Sequence, residues 1–303
     1  MYFFIDIQLI TATLSLIKKC VGFLFIQQNK KIIAIGTGFF VGVPSGYDTN
    51  ISYMYFVTAK HVLQNKDGNF YEIFGIRLNK HSGNSDIIWV SKEQLQIFTH
   101  SNPDVDIAIF SCAPDEKIFD YTILGQDFFL NDEMMTANKI EEGTDILFTG
   151  LFTSHIGQKR NQPIVRFGKT ALISDEKVEW KEEGKLPQML ELYLMECQSF
   201  GGNSGSPVFF KPDRLREIEK LKVKGESYYL AGVMKGYFNA NSPIQVTETD
   251  YQLFATQNSG IAAIIPSHLL HDILFCEELD KIRKENDQKM IEQKSKTESK
   301  NIS

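Results

Sequence analysis

Short runs rich in Val, Ile, Phe and Tyr recur along this chain, and this rhythm constrains the fold more than any other feature. They are VGFLFIQ (21–27), KIIAIGTGFFVGV (31–43), YMYFVTA (53–59), IIWV (87–90), DIAIF (106–110), DILFTGLF (145–152), PIVRFGKTALIS (163–174), LELYLMEC (190–197), SPVFF (206–210) and YYLAGVMKGYF (228–238). Turn-rich stretches such as PSGYDTN and KHSGNSD separate them, a pattern that predicts antiparallel strands in sandwiches or barrels. No long amphipathic helices alternate with the runs, which excludes a doubly wound parallel sheet. No repeat of solenoid or propeller period is present.

Between 113 and 142 the sequence turns polar (APDEK, GQD, ANKIEEG), dividing two strand-rich blocks of similar length. The reading is all-β: a lead-in at 1–19, a first antiparallel β-barrel at 20–125, a second at 126–275, and a C-terminal helix that ends in a disordered charged tail at 276–303. Leu215, Ile218 and Leu221 recur at helical spacing among the charges of 211–227, predicting an inserted surface helix. The helix before the tail is predicted from SHLLHDILFCEELDKIRK (267–284), amphipathic, whereas the Lys/Glu/Gln/Ser remainder buries little.

With 303 residues, 43% hydrophobic and 23% charged, the chain has the composition of an ordinary globular protein. Its 32 basic and 38 acidic residues give a net charge of −6, which argues against nucleic acid or an anionic membrane surface as partner. Four cysteines, at 20, 112, 197 and 276, form no CxxC pair and no Cys/His cluster, so neither a metal site nor a disulfide framework is expected. Cys197 reads as a small buried hydrophobe. The apolar N-terminus lacks a basic leader and reaches Lys18 and Lys19 before any span of bilayer length, which predicts a cytoplasmic protein.

Gly201-Gly202-Asn203-Ser204-Gly205-Ser206-Pro207 links two strand-type runs, and glycines there permit a sharp turn whose amides converge on a developing oxyanion. A serine hydroxyl also needs a base. His81, His100 and His155 lie in polar loops, and His268 and His271 in the C-terminal helix; His61 instead closes the apolar strand F-V-T-A-K-H-V. The carboxylate that orients such a histidine must sit at the mouth of the core. Asp106 heads the run I-A-I-F, whereas Asp104 is placed in solvent. Phe39, Phe40, Phe56, Phe148 and Phe152 read as core rather than as a cofactor site, and no cofactor is expected.

Together G-T-G-F-F-V (36–41), V-T-A-K-H-V (57–62), D-I-A-I-F (106–110) and G-N-S-G-S-P (202–207) resemble the successive motifs of trypsin-like serine peptidases. The likeness spans roughly 20–275 and implies a catalytic triad of His61, Asp106 and Ser204 in a cleft between two barrels. It further implies an oxyanion hole from the Gly202 and Ser204 amides, and a protein or peptide as substrate. S-G-I-A-A-I-I-P-S (259–267) resembles the closing strand of bacterial Deg-type members, with no appended peptide-binding domain after it.

The same resemblance puts Gln198 at the base of the specificity pocket, with Met234 and Tyr237 on the strand that lines it. A neutral amide there predicts no strong preference for Arg or Lys. Val62 and Phe200 stand where secreted members carry cysteines, which fits a reducing compartment. Asn203 replaces the aspartate that in zymogen-type relatives pairs with a newly released N-terminal amine, so activation by N-terminal cleavage is not expected. An α/β-hydrolase with Ser204, Asp250 and His268 is disfavoured, since Ser206 breaks the G-x-S-x-G elbow. The alternative from another class is an inactive protease-like fold serving as an interaction scaffold.

Overall fold

The computed structural model describes residues 14–181, 186–197, 199, 201–212, 228–244 and 253–301, with side chains other than those at 240–244, 253–257 and 296–301. After a short helix α1 (Leu14–Lys19) come β1 (Val21–Gln28), β2 (Lys31–Pro44), β3 (Ser52–Ala59), β4 (Ile73–Asn79), β5 (Ser85–Ser91), β6 (Ile97–Thr99) and β7 (Ile107–Ser111). Helix α2 (Asp132–Ala137) follows, capped by the Asn131 side chain, which accepts from the Met134 amide. The second set is β8 (Asp145–Gly150), β9 (Ile164–Ile173), β10 (Val178–Trp180), β11 (Gln188–Leu190), β12 (Tyr193–Glu196), β13 (Pro207–Lys211), β14 (Tyr229–Ile244) and β15 (Leu253–Pro266). Helices α3 (Ser267–Leu274) and α4 (Glu277–Asn301) end the described chain.

The molecule is therefore all-β with a C-terminal helical segment, as the strand rhythm predicts. The second unit is a closed antiparallel barrel in the order β12-β15-β14-β13-β8-β9, sealed by pairing of β9 with β12. The first is a seven-stranded sheet in the order β5-β4-β1-β2-β3-β7-β6. A two-residue turn at Asn29-Lys30, both in the left-handed region, joins β1 to β2 and suits the twist of a hairpin.

Alternation buries one aromatic cluster inside the first unit. Phe40, Phe56, Phe74 and Phe110 are fully buried, with ring centroids 5.0–5.6 Å apart along the chain of contacts. Such pairs add about 0.5–1.5 kcal/mol each beyond their burial. Phe148 belongs to a corresponding cluster inside the second barrel with Met195, Val208 and Met234. A third cluster crosses between the units, joining Phe23, Phe39 and Val57 to Leu147, Phe209 and Leu270. It packs the two units against each other. Of the aromatics read as core, only Phe152 is partly exposed.

The charged segment after residue 284 is helical to Asn301 rather than disordered. Its first turns are tied to the first unit. Buried Arg283 donates to the Leu274 carbonyl and the Tyr55 hydroxyl, and Asp287 accepts from Ser45 Oγ, the Gly46 amide and Tyr53 OH. Composition alone does not reveal such anchors. The helix expected over 211–227 falls almost entirely outside the described residues.

Candidate active site

Strand register brings His61 and Asp106 together. β3 pairs antiparallel with β7 through Ala59↔Ile107, so the residue after one strand faces the residue before the other. His61 lies in a single 3-10 turn, Lys60–Leu63, that follows β3 directly. The Lys60 amide donates to the Asp106 carbonyl at 3.0 Å, and the His61 amide to Asp106 Oδ1 at 2.8 Å. His61 Nδ1 is 2.6 Å from Asp106 Oδ2. An ionised carboxylate only accepts, so Nδ1 carries the proton and Nε2 is left as the base. Asp104, two residues earlier, is exposed and does not reach the imidazole.

Ser204 sits on a turn between β12 and β13 that is stitched to both units. The Gly205 amide donates to the Met234 carbonyl, the Met234 amide to the Ser206 carbonyl, and the Thr37 amide to the Ser204 carbonyl. Thr37 of β2 does more. Its hydroxyl donates to the Gly202 carbonyl and accepts from the Leu151 amide, both at 2.9 Å, while its own carbonyl accepts from Thr58 Oγ1. At Gly205 (φ +81°) a Cβ would lie 2.1 Å from the Thr37 carbonyl oxygen. Gly202 (φ +94°) likewise occupies backbone space that side chains avoid. The Gly202 and Ser204 amides donate to no described residue, which leaves two N–H groups free at the turn.

The hydroxyl of Ser204 donates to the Lys235 carbonyl at 3.1 Å, and no hydrogen bond joins it to His61 in this structure. Asn203 is buried with both side-chain amide atoms unpartnered, as is the Ser206 hydroxyl. Met234 is fully buried, its sulfur 3.8 Å from Ser199 Oγ, and Tyr237 is half-buried on β14. Gln198 lies outside the described residues.

Sequence reasoning misses Lys235. Its side chain is 6% exposed, and Nζ donates to Asp106 Oδ2 at 2.8 Å, the oxygen that already receives His61. The ammonium also lies 5.2 Å from the centre of the Trp180 ring, which packs against Phe238. The available signal was a lone lysine inside the apolar run L-A-G-V-M-K-G-Y-F, where burial demands a counter-charge. Burial alone would push the Asp106 carboxyl up; the charges of His61 and Lys235 and their hydrogen bonds outweigh it and hold the group well below the usual carboxylate range.

Burial raises the Cys20, Cys112 and Cys197 thiols, Cys197 to about 11, so none of the three is an activated nucleophile. Among the described residues no group of three His, Cys, Asp or Glu side chains is placed to hold a metal ion. Nor is any described helix long and apolar enough to cross a membrane.

No family model matches the chain, and no curated protein matches it. Solved structures do. The active form of the Rv3671c protease of M. tuberculosis is similar at 13% identity and a TM-score of 0.46, over 86% of this chain and 81% of that one. Catalytically inactive tobacco etch virus protease, solved with substrate, is 13% identical with a TM-score of 0.43, covering 88% and 87%. The thermostable serine protease AL20, from an extremophilic microorganism, is 10% identical with a TM-score of 0.43, covering 86% and 98%.

Proposed function

We propose that the chain is a serine endopeptidase of trypsin-like type, hydrolysing peptide bonds of protein substrates through an acyl-enzyme on Ser204. The observation that carries this reading is the meeting of a hydrogen-bonded His61–Asp106 pair with a serine turn whose Gly202 and Ser204 amides have no partner among the described residues. In the first step Ser204 Oγ swings from the Lys235 carbonyl to His61 Nε2, gives up its proton there and attacks the scissile carbonyl. The developing oxyanion receives the two free amides. His61 then passes the proton to the leaving amine, and a water deprotonated by the same nitrogen releases the acyl group.

Gln198, Met234 and Tyr237 are assigned to the specificity pocket. By the resemblance Gln198 would lie at its base, where a neutral amide offers no charge to Arg or Lys. Four cysteines free of disulfides fit a cytoplasmic, reducing setting.

A second reading has one observation in its favour: the serine hydroxyl rests on Lys235 rather than on His61. On that reading the fold is an inactive scaffold. Cleavage of a peptide library by wild type, Ser204→Ala and His61→Ala separates the two. The peptidase loses about 10⁴–10⁶ of its turnover in either variant, whereas a scaffold gives no cleavage in any of the three.

A further inference from the structure

Asp106 stands out in this site because two side-chain donors, the His61 imidazole and the Lys235 ammonium, converge on it. His61 Nδ1 at 2.6 Å and Lys235 Nζ at 2.8 Å share one oxygen, Oδ2, while Oδ1 takes the His61 backbone amide. Lys235 also touches the other end of the constellation, since its carbonyl receives the Ser204 hydroxyl. One residue of β14 thus contacts both the orienting carboxylate and the nucleophile.

We propose that Lys235 is a positioning residue of this site, whose buried ammonium balances the Asp106 carboxylate and thereby keeps His61 neutral and ready to accept the Ser204 proton. The inference rests on the peptidase reading. Its basis is the contact of two buried groups of opposite charge, the Lys235 ammonium and the Asp106 carboxylate, 2.8 Å apart. With an uncharged side chain at 235, Asp106 would be a buried anion without its contacting ammonium, and the nearest remedy would be a proton on His61. A protonated histidine is no base. The ammonium therefore prevents the cluster from recruiting a proton to its own catalytic histidine.

Other charged groups near the imidazole do not take over this role. Lys60, in the same turn, adds a charge interaction with Asp106, but its ammonium donates to the Pro103 carbonyl at 2.6 Å rather than to that carboxylate, and Asp104 is solvated. On the far side, Lys177 and Glu191 line a small cavity that also borders Asp104, Asp106 and Lys235, but neither bonds to Asp106. The Trp180 ring lies 5.2 Å from the ammonium, a cation–π contact.

The test is the rate of fluorophosphonate labelling of Ser204 between pH 4 and 9 in wild type, Lys235→Met and Lys235→Arg. Removal of the positive charge moves the acid limb of the Lys235→Met profile toward higher pH by about one unit or more, and Lys235→Arg keeps the wild-type limb. An unmoved limb in Lys235→Met, or equal displacement in both variants, overturns the proposal. Thermal melting reads the same pair without catalysis. Asp106→Asn alone lowers the melting temperature, and adding Lys235→Met recovers part of the loss. A double variant no more stable than Asp106→Asn also overturns the proposal, whereas absence of labelling in wild type strikes only at the peptidase reading.

Discussion

The two halves of the site are built by different means. On the first sheet, His61 and Asp106 are fixed by strand register: β3 and β7 end side by side, and three hydrogen bonds close the gap between them. On the second unit, Ser204 rides a glycine turn held at its carbonyls by Thr37 but left open at two amides, with its hydroxyl on Lys235. The His61–Asp106 half is fully hydrogen-bonded, whereas the Ser204 half keeps two amides without a described partner, the donors assigned to a substrate oxygen in the proposed function. Lys235 and Thr37 are cross-links, each reaching from one unit to the proposed catalytic residues of the other.

If this division is right, the deepest losses come from the reacting groups. Ser204→Ala or His61→Ala should lower turnover by about 10⁴–10⁶ while leaving the melting temperature nearly unchanged, measured by peptide cleavage and calorimetry. Asp106→Asn should lose about 10⁴ in turnover and, unlike those two, should also cost about 3–5 kcal/mol of stability, because it strands the Lys235 ammonium. Asp104→Asn should change neither.

The pH dependence follows from the depressed Asp106 carboxyl. A group ionised more readily in the folded than in the unfolded chain stabilises the fold above its unfolded value, about 3.9, and loses that contribution as pH falls below it. The stability gap between wild type and Asp106→Asn should therefore narrow below about pH 4, as followed by chemical denaturation at each pH. A gap that stays constant would place the charge elsewhere.

Thr37→Val tests the nucleophile half alone. It removes one hydroxyl that both donates and accepts, leaving the Gly202 carbonyl and the Leu151 amide unpaired, and should cost about 1–3 kcal/mol. Turnover should fall by about 10-fold to 100-fold, because the oxyanion turn loses its tether, with no movement of the acid limb of the pH profile. The smallest effect concerns specificity. Gln198→Asp should raise the preference for Arg or Lys before the scissile bond over the wild-type profile, read from a peptide library.

Much of this was legible in the sequence wherever the residues obey a repeated local rule. The long apolar runs became β1, β2, β3 and β7, and the position of Asp106 at the head of a buried strand distinguished it from Asp104. β4 was missed because Gly75 and Arg77 interrupt its pattern, although Gly75 is there to admit Ile87 of β5, 2.4 Å from where a Cβ would stand. The β10–β11 hairpin was missed because each strand is only three residues long. Lys235 and Thr37 escape for a different reason: their partners lie far away in sequence, so the lone lysine in an apolar run marks a buried charge without naming its counterpart, and a threonine in a strand marks nothing. Beyond residue 284 the sequence reads as a tail because α4 there is anchored by a polar residue, Asp287, rather than by an apolar face.

The most direct test of the account is intact-mass analysis of the full-length chain after reaction with a fluorophosphonate, with the modified residue mapped by peptide sequencing. The account predicts one adduct, on Ser204, formed without removal of any N-terminal segment and abolished in His61→Ala. No adduct, an adduct on another residue, or labelling that appears only after N-terminal cleavage would contradict it.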